Sequence, residues 1–263
     1  MGKRLKLETR ALGSELDMPN IATLAQWVVN HRGTSGDLIN YWLEESLAPQ
    51  ISAGITIPCA GGIFYKDRII DCLMGLKEGI VRDEIWINTE SIVYDAISIE
   101  GQKKGVWFAI PAPHTLGITD AYYNDEDEWC EAIAGIYRTL MRSMRDVGIA
   151  GHVLICQEAY EAEVEALARQ KVFFFHPEPN KEILLNIMES QNRIAVNIEN
   201  LDMVLNLANE SGLKQLIVVD ADEESIERTL SHLDPDQVMV GGYCTNKCET
   251  YWESLVASAT YLK

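Results

Sequence analysis

The sequence has few basic side chains for its length. Its 263 residues include 40 acidic and 22 basic side chains, which gives a formal net charge of −18. Such a charge repels a polyanion, and the Lys and Arg residues form no basic segment along the chain. We therefore expect no Lys/Arg-rich face and no nucleic acid among the main partners.

The sequence also lacks long apolar runs. None approaches the roughly 18 residues that a membrane-spanning helix needs, and the basic start MGKRLKLETR is not followed by the apolar core of a signal peptide. The composition is 47% hydrophobic, which is enough for a substantial core. These features predict a soluble cytoplasmic protein that does not act at a membrane.

Metal-binding spacings are missing as well. The chain has no C-x-x-C pair, and its five histidines lie far apart in sequence, so no dedicated metal site is predicted. The cysteine pattern fits reduced thiols better than a disulfide framework; the six cysteines are Cys59, Cys72, Cys130, Cys156, Cys244 and Cys248. Cys244 and Cys248 share a helix face, where either a buried or a functional thiol is plausible.

The second half of the chain contains five short apolar runs at a regular interval. They are HVLIC (152–156), KVFFF (171–175), RIAVN (193–197), KQLIVVD (214–220) and QVMVGG (237–242). Reference residues Val153, Val172, Ile194, Leu216 and Val238 are separated by 19, 22, 22 and 22 residues. Continuous apolar runs that alternate with helical stretches predict parallel strands buried on both faces.

The predicted fold class is α/β. Residues 126–263 are expected to form a Rossmann-like open parallel sheet of five βα units, with strand order 3-2-1-4-5 as the commonest arrangement. Residues 1–125 are expected to form a smaller α+β part, in which SIVYDAISIEG and KGVWFAIP make a β-hairpin. Half of a (βα)₈ barrel is the alternative, and a long helix from Glu126 to Asp146 precedes the first strand of the repeat.

The carboxyl ends of the predicted strands carry polar residues, where ligands bind in open α/β sheets. The first turn reads Cys156-Gln157-Glu158, without the G-x-G-x-x-G pattern and with a carboxylate where a pyrophosphate would lie. NAD and FAD are therefore disfavoured, whereas S-adenosylmethionine has no phosphate and carries a cationic sulfonium. The candidate cofactor-binding residues are Gln157, His176, Glu178, Asn197 and Asp220. Each of them could instead serve only as a helix cap.

Three segments resemble the HcgC family of archaeal enzymes: IFYKDRIIDCLMGLKEGI (63–80), EIWINTESIVYDAISIEGQKKGVWFAIPAPHT (84–115) and VGGYCTNKCETYWESL (240–255). Members of this family methylate a pyridinol precursor during biosynthesis of the iron-guanylylpyridinol cofactor of Fe-hydrogenase. The resemblance implies a Rossmann-like homodimer that transfers a methyl group from S-adenosylmethionine to a ring carbon of a small heteroaromatic substrate.

Such a reaction needs the acceptor ring held in line with the sulfonium methyl group and its hydroxyl oxygen polarised. The candidate catalytic residues for orienting or polarising the ring are Thr89, Glu90, His114 and Thr115. Two other functions stay open. One is an enzyme that binds another nucleotide at the helix after Cys244-Thr245-Asn246, and the other is a non-enzymatic acidic dimeric scaffold in cofactor maturation.

Overall fold

The computed structural model describes residues 4–32, 36–208, 212–245 and 248–262. Its strands are β1 (Arg4–Lys6), β2 (Glu8–Ser14), β3 (Cys59–Gly61), β4 (Leu73–Lys77), β5 (Ile80–Ile87), β6 (Trp107–Pro111), β7 (Thr119–Asp120), β8 (Gly151–Ile155), β9 (Val172–Phe175), β10 (Arg193–Asn197), β11 (Gln215–Val219), β12 (Val238–Cys244) and β13 (Thr260–Leu262).

The helices are α1 (Ile21–Asn30), α2 (Leu38–Ala53), α3 (Lys66–Cys72), α4 (Glu90–Gln102), α5 (Glu126–Asp146), α6 (Glu161–Leu167), α7 (Lys181–Ser190), α8 (Leu201–Leu207), α9 (Glu223–Leu230) and α10 (Cys248–Ser258). Within the described residues, no helix combines the length and the apolar character that crossing a bilayer requires.

Eight parallel strands of the described chain form a closed ring. One parallel sheet has the order β10-β11-β12-β2 and another the order β3-β6-β8-β9. Their edges adjoin on both sides. The Ile57 amide, just before β3, donates to the Thr9 carbonyl of β2 at 2.9 Å. On the other side β9 lies beside β10, where the Gln191 side-chain amide bonds the backbone of Phe174 and Arg193. The strands thus follow chain order around one core, as in a (βα)₈ barrel.

The predicted α/β class with parallel strands is confirmed, and the barrel weighed as the alternative gives the observed strand order. The order 3-2-1-4-5 is wrong, because it would pair β8 with β11. Instead β8 lies between β6 and β9, and β11 lies between β10 and β12. The reason is that β2, β3 and β6 supply further parallel partners, so both sheets contain strands from either side of residue 125.

The hairpin predicted around residue 103 is also wrong. Residues 90–102 form α4, whose buried side chains recur at helical spacing: Ile92, Asp95, Ala96 and Ile99. The antiparallel pair is instead β4 with β5. Glu78 and Gly79 connect these two strands with positive φ angles of 53° and 75°, the backbone that a tight hairpin turn requires.

Two helices begin at residue types that favour helix N-termini. Asn180 caps α7 by accepting from the Ile183 amide at 2.9 Å, and Asp222 forms a capping box with Ser225 at the start of α9. Helix α5 spans the residues predicted for it and buries its apolar stripe against the barrel, where the Tyr137 hydroxyl donates to the Pro111 carbonyl at 2.8 Å.

The prediction of reduced thiols is wrong for one pair of cysteines. Cys244 at the end of β12 and Cys248 at the start of α10 form a disulfide, with their Cα atoms 5.7 Å apart. The two cysteines are only four positions apart in the sequence, which is compatible with the Cα separation that a disulfide requires. The four remaining cysteines are free, as predicted, and are Cys59, Cys72, Cys130 and Cys156.

Candidate functional site

The carboxyl ends of the eight barrel strands form one opening, which we call the mouth. The five residues predicted to bind a cofactor follow or end four consecutive strands of the ring, β8 to β11; they are Gln157, His176, Glu178, Asn197 and Asp220. In the barrel these strands are neighbours around the ring.

Glu178, Asn197 and Asp220 line a common cavity at the mouth. Its volume is about 460 Å³, and the other residues that line it are Pro179, Ile198, Glu199 and Val219. Three carboxylates and no basic side chain of the described residues contribute to the wall. The cavity therefore favours a ligand with a positively charged group and disfavours an anion.

Asp220 is the most constrained member of this cavity. Its φ angle is +53°, a left-handed conformation that is uncommon for residues other than glycine and is tolerated best by Asn and Asp. The Tyr251 hydroxyl donates to the Asp220 carboxylate at 2.6 Å and accepts from the Tyr243 amide at 2.9 Å. Partial desolvation raises the pKa of Asp220, and the Tyr251 hydrogen bond opposes this shift. Helix α10 thus fixes the carboxylate in the cavity wall.

His114 joins three segments at the mouth. Its Nδ1 donates to the Glu163 carboxylate at 2.7 Å, and its Nε2 accepts from the backbone amides of Gln157 and Glu158 at 3.1 and 3.2 Å. The ring also packs edge-on against Tyr160, with the centroids 5.0 Å apart. Because both ring nitrogens are engaged, this geometry gives His114 a positioning role for the loop after β8.

His176 continues the same network to the next loop. Its Nε2 donates to the Gln157 carbonyl at 2.9 Å, and its Nδ1 accepts from the Glu178 amide at 3.1 Å. The loops after β6, β8 and β9 are therefore linked by two imidazole rings through Gln157. This linkage holds the backbone of Glu178 at the edge of the cavity.

The other predicted ring-contacting residues are not gathered in this cavity. Thr115 is buried, and its hydroxyl donates to the Ala112 carbonyl at 2.6 Å. Thr89 is the N-cap residue of α4. Glu90 lines a different cavity of about 290 Å³, together with Asp37, Arg68 and other residues near the start of α4.

A buried carboxylate organises that second cavity. Asp95 is fully buried and accepts from the Tyr65 hydroxyl at 2.9 Å, the Arg68 Nε at 2.8 Å and the Asn40 amide at 2.7 Å. Arg68 also pairs with the half-exposed Asp37 at 2.8 Å. This network ties α2, α3 and α4 together on the outside of the barrel.

A third cavity, of about 420 Å³, lies between the end of β2 and the start of α10. It is lined by four carboxylates and five other residues, which are Glu15, Asp17, Glu45, Glu249, Leu16, Pro49, Thr245, Cys248 and Thr250. Burial, followed by the charges of Glu44 and Glu249, raises the pKa of Glu45. The mouth is thus acidic on this side as well.

Sequence reasoning missed two residues that shape the site. Tyr251 holds Asp220 from a helix 31 positions away, and Glu163 holds His114 from 49 positions away. Neither residue belongs to a motif with a recognisable spacing, so only the fold brings these partners together. Asn246, named above as part of a possible phosphate site, lies outside the described residues. The described part of the chain holds no group of three or more metal-ligating side chains placed to share one ion.

Comparison with known proteins reveals similarity at the level of the fold. No family model matches the sequence, and no curated protein matches it. A B12-independent methionine synthase from Shewanella sp. W3-18-1, solved with selenomethionine, superposes with a TM-score of 0.65 at 15% identity and covers 97% of this chain and 96% of its own. A Listeria monocytogenes protein provisionally named a vitamin-B12-independent methionine synthase gives a TM-score of 0.63 at 15% identity, with 94% and 93% covered. The chain therefore shares its fold, over nearly its full length, with structures named as methionine synthases.

Proposed function

We propose that this protein is a methyl-transfer enzyme whose reaction takes place at the mouth of the barrel. Its support is the acidic cavity of Glu178, Asn197 and Asp220 at the strand ends. Active sites of (βα)₈ barrel enzymes lie at this end, and the two solved structures with the same fold are named for a methyl-transfer reaction.

The methyl donor in this proposal is S-adenosylmethionine. Its sulfonium and its α-ammonium group are cationic, and Glu178, Glu199 and Asp220 supply negative charge around a cavity of about 460 Å³. A volume of several hundred Å³ suits a nucleoside-sized ligand. The cavity is an unfavourable place for a pyrophosphate, because no basic lining residue compensates its charge.

The proposed acceptor is the heteroaromatic ring of a pyridinol, as the HcgC resemblance implies. In the reaction the bond between sulfur and methyl breaks, a bond between methyl and a ring carbon forms, and the ring carbon loses its proton to a mouth carboxylate or to water. Positioning of the two reactants supplies most of the rate in such a transfer. The loops held by His114 and His176 would provide that positioning.

A second candidate is an enzyme that uses the same cavity for an amino acid with a sulfur or selenium side chain. The Shewanella protein is described in complex with selenomethionine. The α-ammonium group of such a ligand would find the same carboxylates, Glu178 and Asp220, in this chain. The two candidates share a cationic ligand and differ in whether the adenosine is needed for binding.

The test is a set of parallel calorimetric titrations with S-adenosylmethionine, S-adenosylhomocysteine, methionine, NADH and ATP. The proposal expects saturable binding of both adenosyl compounds, weakened roughly 10- to 150-fold by Asp220→Asn, because a lost charged hydrogen bond costs about 1.5–3 kcal/mol. Glu227→Gln is the matched control, since it removes one exposed carboxylate outside the cavity. Light scattering on the same samples tests the predicted homodimer.

The outcomes separate the candidates. Binding of the adenosyl compounds, followed by methylation of a pyridinol in an acceptor assay, supports the proposal. Binding of methionine but not of S-adenosylmethionine favours the amino-acid enzyme. Binding of NADH or ATP alone, or an equal effect of Asp220→Asn and Glu227→Gln, contradicts the assignment of the acidic cavity.

A further inference from the structure

Basic side chains gather at the opposite end of the barrel from the mouth. A cavity of about 620 Å³ lies at the amino-terminal ends of β9, β10 and β11 and is lined by Arg169, Arg193 and Lys214. Its other lining residues are Ala168, Gln170, Phe173, Ser190, Gln191, Asn192 and Gln215. No acidic side chain of the described residues lines this cavity, although the chain carries 40 of them.

A neighbouring cavity extends the same surface. It has a volume of about 430 Å³, shares Arg169 and Gln170 with the first cavity, and has no acidic lining residue in the described part of the chain. We call the basic residues of the two cavities the basic face; they are Arg138, Arg142, Arg145, Arg169, Lys171, Arg193 and Lys214. The expectation of no Lys/Arg-rich face is therefore wrong. These residues are scattered along the sequence, and the fold brings them together.

Two of these arginines have acidic neighbours beside the cavities. Arg138 pairs with Glu131, and Arg142 lies 3.8 Å from Asp146. Both pairs are largely exposed on α5, so solvent screens them. Arg193 differs, because it donates to neutral groups, the Gln215 side chain at 2.6 Å and the Gln170 carbonyl at 3.0 Å. Its positive charge at the edge of the 620 Å³ cavity is not neutralised by these bonds.

A second positive charge lies inside the barrel next to Arg193. The Arg10 guanidinium stacks 3.9 Å from the centre of the Trp107 ring and 5.0 Å from that of Phe173, the same rings that Arg193 approaches at 5.3 and 5.5 Å. Arg10 is 1% exposed, and its Nε and Nη2 have no hydrogen-bond partner among the described residues. Burial, and then repulsion from Arg193, lowers the pKa of Arg10 to about 9.

We propose that the 620 Å³ cavity binds a small oligoanion, such as the di- or triphosphate group of a metabolite. Arg169, Arg193 and Lys214 surround it with three cationic groups, and guanidinium groups match phosphate oxygens in geometry. A bound anion beside Arg193 would also offset the repulsion between Arg193 and the buried Arg10.

A small ligand fits better than a nucleic acid. The cavity has the volume of a small-molecule site, and the remainder of the protein carries the large negative charge that repels an extended polyanion. A compact anion lies within roughly one Debye length, about 8 Å at physiological salt, of the basic face alone. The distant acidic residues are screened from it.

The test is calorimetric titration with inorganic tripolyphosphate, with citrate as a carboxylate comparator and a single-stranded RNA oligonucleotide as a macromolecular one. We expect tripolyphosphate to bind, and Arg169→Ala combined with Lys214→Ala, both lining residues, to weaken its binding about tenfold. The matched control combines Lys77→Ala with Lys103→Ala, which removes the same charge from exposed sites outside both cavities. Asp220→Asn at the mouth should leave the affinity unchanged, so this result is independent of the proposed methyl transfer.

Several results would overturn the proposal. Two concern tripolyphosphate alone: it does not bind at low salt, or the two double variants weaken its binding equally. The others concern the comparators: citrate binds more tightly than tripolyphosphate, or the RNA binds and tripolyphosphate does not. Arg10→Met provides a second measurement, because loss of the buried charge should weaken tripolyphosphate binding even though Arg10 is not a lining residue. Circular dichroism before each titration shows whether that variant is folded.

Discussion

Replacing Asp95 by alanine should be among the most destabilising single changes outside the apolar core. Asp95 is fully buried in α4 and accepts hydrogen bonds from Tyr65 and Arg68, at the start of α3, and from Asn40 in α2. The change removes the acceptor of all three donors at once. Tyr65 is also fully buried, so its hydroxyl has no access to water after the change.

The expected loss of unfolding free energy follows from the hydrogen bond that each donor loses. An unsatisfied buried hydroxyl costs about 1–3 kcal/mol, and removing one partner of a buried ion pair costs about 3–5 kcal/mol. Arg68 offsets part of this loss, because its side chain is 12% exposed and keeps its bond to Asp37. We therefore expect Asp95→Ala to lower the free energy of unfolding by about 3–4 kcal/mol.

Urea denaturation followed by far-UV circular dichroism measures this change. Asp37→Asn is the matched control, because it removes the half-exposed charge paired with Arg68 but keeps the side-chain oxygen that caps α2, and it should cost less than about 1 kcal/mol. In an Arg68→Ala background, Asp95→Ala should cost clearly less than in the native protein. Equal costs for Asp95→Ala and Asp37→Asn, or no coupling with Arg68, would refute the reasoning.

Two further predictions concern glycines and pH. Gly62→Ala should destabilise by about 3 kcal/mol or prevent folding, since its Cβ would lie 1.8 Å from the Ser14 carbonyl oxygen. Gly101→Ala, in open space on α4, should stabilise the protein by about 0.5–1 kcal/mol. Urea denaturation measures both variants, and a Gly62→Ala protein as stable as Gly101→Ala would contradict the close contact between Gly62 and Ser14. Because the folded pKa of Asp220 is raised, ionisation of Asp220 disfavours folding, so stability declines as pH rises from the unfolded value of about 3.9 through the folded one. Asp220→Asn keeps an acceptor for Tyr251 and should reduce that decline, which thermal melts across this pH range measure; an unchanged profile contradicts the shift.

The sequence predicted the repeating strands because their signal is local. The runs from 152 to 242 are apolar on both faces and evenly spaced, and each appears as a strand within one or two residues of its predicted bounds. Strand order has no such signal. Units of 22 residues can continue in one direction around a ring or reverse in an open sheet, and the choice depends on whether β2, β3 and β6 offer further parallel partners.

The error at residues 91–101 has a different cause. Ile92, Val93, Ile97 and Ile99 give this segment a composition typical of a strand. The burial pattern decides otherwise, because Ile92, Ala96 and Ile99 face the core while Ile97 is 53% exposed. Side-chain propensity is thus overridden by packing against the barrel.

The sequence predicts which polar residues follow the strands at the mouth, but not the contacts between them. Parallel strands must end on one side, so the polar residues that follow them meet there whatever the strand order. The contacts of Tyr251 with Asp220 and of Glu163 with His114 depend on the distance between helices and strand ends, which no local pattern encodes. The basic face was missed for the same reason.

Closure of the ring between β2 and β12 has a consequence for synthesis of the protein on the ribosome. Residues 8–14 pair with residues 239–244, which are translated more than two hundred residues later. Until β12 emerges, one side of β2 lacks its backbone partner, and the barrel interior around Arg10 stays open to water. Late, long-range pairing of this kind slows folding and exposes an unpaired strand to other chains in the meantime. The backbone groups on that side of β2 therefore stay unpaired until nearly the whole barrel has been translated.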